Sequence, residues 1–185
     1  MIQELFSRIE LFKKVAQEFP DFRYLGDPIL RTPAAEVTLD EGIEIGKKLG
    51  DILVRYRKIT GMGRGLAAPQ IGIGKRVFVT FLNDQIHVYI NPKIIKTSDT
   101  LNCYRETCLS SGIMRGDIKR PAKITIEWTD ENGQIQKQEA EDVLARLLQH
   151  EYDHLQGVCN LDIAEKGSIE FVTSDPLQEK LRETR

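Results

Sequence analysis

The segment LLQHEYDHLQG, residues 147–157, carries two of the three histidines in the chain, His150 and His154, with Glu151 directly after the first. Four residues apart on a helix, the two imidazoles are separated by one turn plus about 40° and leave the same face, with Cβ atoms about 5–6 Å apart. Two nitrogen donors can therefore meet one metal ion. Glu151 is turned about 100° from His150, within reach of a water beside such an ion and angled away from ligating it. Two nitrogen ligands plus a carboxylate that takes and delivers protons is the logic of HExxH hydrolytic sites. Two solvated histidines on an ordinary helix are the bland alternative, but Leu147, Leu148 and Leu155 mark this helix as facing a core.

Such a centre needs a third protein ligand and an open position. His87 falls within a strand-like stretch without ligand-type neighbours and reads as structural. Cys108, in RETCLSSG, is the better candidate, with Cys103 the next in line. A thiolate donor favours Fe(II), Zn(II) or a similar late divalent ion over Mg or Ca, and leaves a ferrous site open to oxidation. Cys103, Cys108 and Cys159 are an odd number of cysteines without CxxC spacing, which argues against a disulfide framework or a zinc ribbon. Outside a metal site they read as small buried apolar side chains.

The surrounding pattern must position these groups. Ile2, Leu5, Phe6, Ile9, Phe12, Val15 and Phe19 recur at helical spacing until Pro20, and a second helical run spans 40–59 after Thr38 and Asp40 as candidate caps. KRVFVTFL (75–82), IHVYINPKII (86–95) and KITIEW (123–128) have strand composition. Asn132-Gly133 signals a hairpin after the last of them. Helical spacing returns over 141–156, ending at Gly157. Helices, then strands, then a helix predict an α+β fold, with mixed and antiparallel strands packed around the HExxH helix and helices on the N-terminal side. Length favours one domain over 1–185, with a helix over 1–20 and a polar, loosely held tail over 165–185.

Three segments in order, GRGLAAPQ (63–70), ETCLS (106–110) and QHEYDH (149–154), resemble the signatures of the peptide deformylases; DPILRTPA, INP (90–92) and HLQG add lesser similarities. The resemblance runs from about residue 24 to 162. It implies a metal-dependent hydrolase that removes the N-formyl group from N-formylmethionyl peptides of new proteins and releases formate. It also implies one divalent ion, Fe(II) in the cell with Zn(II), Ni(II) or Co(II) as substitutes, held by Cys108, His150 and His154. Glu151 would be the general acid and base, with the Gln70 amide and the Leu109 N–H donating to the formyl oxygen. Gly63 and Gly65 remove side chains where another backbone can approach, and in the family this stretch pairs with the substrate. The chain departs from the family at Arg64 (usually aliphatic), Thr107 (usually glycine) and Ser111-Gly112 (usually apolar-proline). Arg64 would bring a guanidinium to the mouth, and Arg115 coincides with a basic position that helps hold peptide in some members. An HExxH peptidase and a metal-holding, inactive peptide-binding homologue are the rival readings.

A formal charge of −2 and dispersed basic residues give no reason to expect nucleic acid or an anionic membrane as partner. Acids and bases interrupt the apolar residues of MIQELFSRIELFKK, unlike a secretory signal, and no run has membrane-spanning length. Nascent chains, with the ribosome as a further candidate, and a cytoplasmic location are the expectations.

Overall fold

In the computed structural model, which describes residues 2–172, helix α1 (Ile2–Glu18) buries only the C-terminal part of its apolar stripe. Val15 and, just beyond the helix, Phe19 are buried, whereas Ile2 and Phe6 remain 70% and 62% exposed. Helix α2 (Leu39–Thr60) starts where Thr38 accepts a hydrogen bond from the Glu41 N–H. It ends at Gly61, whose φ of 70° lets its N–H return to the Arg57 carbonyl.

Two sheets follow. Strands β1 (Gly65–Ala67), β2 (Val77–Leu82), β3 (Gln85–Thr97), β6 (Lys123–Thr129) and β7 (Ile135–Glu141) form one, in that order, with β1 at the edge. Strands β4 (Leu101–Thr107), β5 (Met114–Pro121) and β8 (Glu170–Phe171) form the other. Helix α3 (Asp142–Leu155) follows β7 directly. The α+β expectation holds, but the mixed pairing does not: every ladder is antiparallel, and the parallel pairing among the described residues is an isolated bridge between Ala35 and Lys75. Short links dictate this for β1–β2, β2–β3, β4–β5 and β6–β7, since a parallel pair requires a crossover of about a dozen residues or more; β3–β6 and β5–β8 are joined by longer connections that do not impose it. Asn83 and Asp84, both with positive φ, turn β2 into β3 in two residues.

Period-2 alternation splits the core between the two faces of the larger sheet. Leu66, Val77, Val79, Val88 and Ile90 join α1 and α2, while Ala67, Phe78, Tyr89, Ile124 and Ile126 join Ala145, Leu148 and Leu155 of α3. At Asn91, with φ 49°, β3 bends from its pairing with β2 to its pairing with β6. The Asn91 amide fixes the bend by accepting from the Val37 N–H and donating to the Val37 carbonyl.

The tail expectation is corrected over 165–172. Arg115 and Met114 pair with β8, Glu165 donates its N–H to the Asp117 carbonyl, and Val172 is buried, because β5 offers an open edge there. Residues 173–185 lie outside the described residues.

Helix α2 approaches β3 through Gly42, Gly46 and Gly50, one per turn, set against Ile90, Val88 and Ile86 at every second strand position. A Cβ at position 46 would collide with Val88 Cγ1. Replacing this glycine sets a helix-propensity gain of up to about 1 kcal/mol against overpacking that costs about 1–3 kcal/mol. A valine adds the larger clash with little propensity gain. Gly46→Val is therefore expected to lower stability by about 1–3 kcal/mol in urea unfolding, with Val88→Ala in the same chain restoring part of the loss. A double variant no more stable than Gly46→Val would show that the clash lies elsewhere.

Candidate metal centre

Strand β4 and helix α3 deliver the three candidate ligands. Alternate strand residues share a face, so Glu106 and Cys108 both turn toward α3, while Thr107 is exposed. On α3, Arg146, His150 and His154 follow at one-turn intervals and present themselves to that strand end. The sulfur of Cys108 and one nitrogen from each of His150 and His154 all lie within 4.8 Å of one another. Cys108 Sγ is 3.3 Å from His154 Nε2, and the two imidazole rings stand nearly perpendicular with centroids 5.2 Å apart. His87 lies exposed opposite Thr80 on β2, and Cys103 is half-buried opposite Lys119, so neither belongs to the cluster.

Each imidazole is oriented through its other nitrogen. His150 Nδ1 lies 2.9 Å from Glu106 Oε2, and His154 Nδ1 lies 4.0 Å from the sulfur of Cys159. Cys159 is thus more than the small apolar filler its sequence context implied. Glu106, 7% exposed, also accepts from Arg120 Nε at 2.7 Å and Nη2 at 3.0 Å, and from Arg146 Nη1. Burial alone would raise its pKa, but hydrogen bonds from His150 and Arg120 and their charge hold it well below the usual carboxylate range. Burial would likewise raise the Cys108 thiol; the charges of His154 and His150 outweigh that and hold it well below its ordinary value. The thiolate form is the one that ligates.

Glu151 points to the opposite side, against β1. A Cβ on Gly65 would collide with Glu151 Oε1, so this glycine makes room for the carboxylate. Gly63, with φ 98°, lies over Tyr56 and Leu53. Glu151 is 4% exposed, and burial, opposed by the charges of His150 and His154, pushes its pKa up to about 7. Its Oε2 has no partner among the described protein atoms. A water or a substrate proton is what that oxygen lacks. Together with a thiolate and two imidazoles, it fits a centre holding one late divalent ion.

Cys108, His150, Glu151 and Glu106 line one cavity of about 510 Å³, with His154 buried behind them. Gln70 is fixed within it: its Oε1 accepts from the Ala67 N–H at 2.9 Å, which turns Nε2 toward Ser110 Oγ at 3.3 Å and Cys108 Sγ at 3.5 Å. Leu109, first in the short turn after Cys108, lines the cavity with Gly63, Arg64 and Gly65, and Arg64 is exposed at its mouth.

A family model for polypeptide deformylase matches residues 20–168. The chain belongs to the polypeptide deformylase family. A peptide deformylase of Prochlorococcus marinus strain NATL2A is 42% identical over 144 residues, 75% of this chain and 69% of that one. One from Treponema pallidum is 36% identical, covering 77% of this chain and 86% of the relative. Among solved structures, a Synechococcus elongatus peptide deformylase in complex with actinonin is 38% identical with a TM-score of 0.70, covering 79% of each chain. The Thermotoga maritima peptide deformylase is 34% identical with a TM-score of 0.70, over 78% of this chain and 96% of the other.

Deformylase membership makes the departures informative. Ser111 is buried and donates to Asn160 Oδ1 at 2.6 Å, and Asn160 Nδ2 in turn donates to the Glu106 carbonyl at 3.2 Å. The ligand turn is thereby tied to the chain that follows α3, and Gly112 closes it at φ 62°. Arg115 does not reach the cavity lining. It is 3% exposed and donates from Nε at 3.0 Å and Nη2 at 2.7 Å to Glu170, its cross-strand neighbour on β8.

Removing the Glu106 carboxylate would leave Arg120 and Arg146 as buried cations without their shared partner. Glu106→Leu is expected to cost about 3–5 kcal/mol in chemical unfolding and to weaken metal retention about 10–100-fold by freeing His150. Unfolding at the parental midpoint would remove Glu106 as the organising charge.

Proposed function

We propose that Cys108, His150 and His154 hold one Fe(II) and that Glu151, Gln70 and Leu109 carry out hydrolysis of the formyl amide of N-formylmethionyl peptides. Family membership supplies the reaction class, removal of formyl groups from nascent peptides. What supports the residue roles most is the convergence of the three ligand atoms beside a buried Glu151 oxygen that has no protein partner. The ion, when bound, supplies a Lewis acid at the formyl carbonyl and makes water a usable nucleophile near neutral pH. Zn(II), Ni(II) and Co(II) suit the same donors.

Glu151 accepts the proton of the attacking water at its unpartnered oxygen and delivers it to the amine that departs. A carboxylate with a pKa near 7 is suited to both transfers. As the carbonyl carbon becomes tetrahedral, charge grows on its oxygen, and the Gln70 Nε2 amide and the Leu109 N–H donate to it. Gln70 needs no reorientation because Ala67 already holds its carbonyl end. The free edge of β1 at Gly65 accepts the peptide as an added strand, with main-chain hydrogen bonds giving affinity independent of side chains. Arg64 at the mouth favours acidic over basic residues downstream. Cys108, Cys103 and Cys159 are all free thiols, and a ligating thiolate persists best in a reducing cytoplasm, where nascent chains emerge. Among the described residues no helix is long and apolar enough to cross a membrane. Ribosome contact through the tail falls largely on residues outside those described and is a matter for co-sedimentation.

A simple HExxH peptidase would leave Gln70 and the ligand turn without a task, and the family match favours the deformylase reading over it. In anaerobic assays with formyl-Met-Ala-Ser, the protein is expected to release formate without internal cleavage. Cys108→Ala is expected to lose its metal by elemental analysis. Glu151→Gln is expected to keep the metal while turnover falls about 10²–10⁴-fold. Equal metal content in Cys108→Ala and the parent would overturn the ligand set, and full turnover in Glu151→Gln would overturn the base.

A further inference from the structure

Helix α1 lies outside the segment matched by the family model, yet it walls the same cavity as the metal ligands. Leu11, Phe12 and Val15 face into it together with Leu53, Tyr56 and Leu109. The helix reaches both banks of the cleft. On one bank Arg8 Nη1 lies 3.8 Å from Met62 Sδ, in the loop that leads into β1. On the other, Phe12 packs at Gly112, where a Cβ would stand 3.2 Å from Phe12 Cε2, and its ring meets Tyr24 edge-on with centroids 5.0 Å apart. Val15 anchors the helix in the core and Leu11 packs against the same cluster, while Arg8 and Phe12 extend its contacts to the two banks.

A sheet edge accepts an added strand in either direction, so the deformylase reading sets the one taken here. With the formyl group between Cys108 and Glu151, the first residue lies beside Gly65, and the chain leaves along Arg64 and Gly63 toward Met62. At about 3.3 Å per residue, the second and third residues come level with Arg64, Gly63 and Met62, and Met62 is where Arg8 of α1 meets the loop. We propose that α1 forms an apolar subsite, centred on Phe12 and Leu11, for a substrate side chain beyond the first residue. This rests on the deformylase reading for the direction of the peptide. Apolar residues at the second or third position gain contact with the helix; small polar ones leave it idle, and the preference appears in KM because this contact is made equally before and during the reaction.

The test is photocrosslinking with metal-loaded Glu151→Gln protein, which retains peptide without consuming it. Formylmethionyl tripeptides carrying benzoylphenylalanine at the second or third residue are irradiated with and without excess formyl-Met-Ala-Ser, and the labelled segment is read by mass spectrometry. Displaceable label within residues 8–15 is the expected result. Label confined to other segments, or none that the competitor displaces, overturns the proposal. A kinetic arm compares formyl-Met-Ala-Phe with formyl-Met-Ala-Ser. The parent is expected to favour the former by about tenfold in KM, a step equivalent to partial burial of one aromatic ring. Phe12→Ala and Leu11→Ala should each shrink that ratio, and Phe12→Tyr should keep it. An unchanged ratio in both alanine variants counts against the subsite. Label on α1 without formate release would sink the deformylase reading and leave the subsite; formate release with label elsewhere would do the reverse.

Discussion

One buried carboxylate organises this molecule. Glu106 receives hydrogen bonds from Arg120 of β5 and Arg146 of α3 and holds the ring of His150, so the smaller sheet, the helix and the metal centre share a single charge. Desolvating such a group is costly, and only several simultaneous charge-assisted hydrogen bonds offset it. Asp153, at 2.6 Å from Arg120 Nη1, adds a second carboxylate, so the two arginines do not stand as a net buried charge. The geometry is over-determined: moving β4 against α3 would break several ionic contacts at once. Cys108, two residues beyond Glu106 on the same face, is positioned by the same contacts.

Close approach is the second constraint. At Gly65 the missing side chain is replaced by the carboxylate of Glu151, which brings the proposed general base beneath the edge strand that would hold the peptide. Along α2 the missing side chains at Gly42, Gly46 and Gly50 let the sheet lie close to the helix. Both devices set distances that no loop could hold with comparable accuracy, since they rest on packed elements. The groups of the site accordingly sit on strand ends and helix faces, and Gln70 is fixed by a hydrogen bond to the backbone two residues after Gly65.

The departures from the family pattern fall into two kinds. Ser111 and Gly112 rebuild the ligand turn from within, exchanging an apolar residue and a proline for a buried hydroxyl bonded to Asn160. Arg64 and Thr107 instead change the exposed rim, where charge and bulk act on whatever enters. Helix α1 adds a wall to the same cleft.

The His150–His154 pair, the Glu151 carboxylate beside it and the α+β class were legible in the sequence because each rests on local spacing, whereas Cys108, 42 residues away, entered as the better of the remaining candidates and through the family resemblance. His150 and His154 share a face wherever residues 142–155 are helical, and Thr38, Gly61, Gly133 and Gly157 mark element ends by conformational preference alone. Strands β4 and β5 were not legible. Their stability comes from cross-strand charge pairs such as Arg105 with Asp117, at 2.7 and 2.8 Å, and from Glu106 with Arg120, so LNCYRET and MRGDIKRP lack the apolar alternation that announces a strand. The sequestering of Arg115 by Glu170, the contact of Cys159 with His154 and the crossing of α1 over the cleft likewise join residues distant in the chain or turned by a loop. Spacing along a chain determines which groups share a face; which faces meet is decided by where the whole chain can bury its apolar surface and satisfy its charges at once.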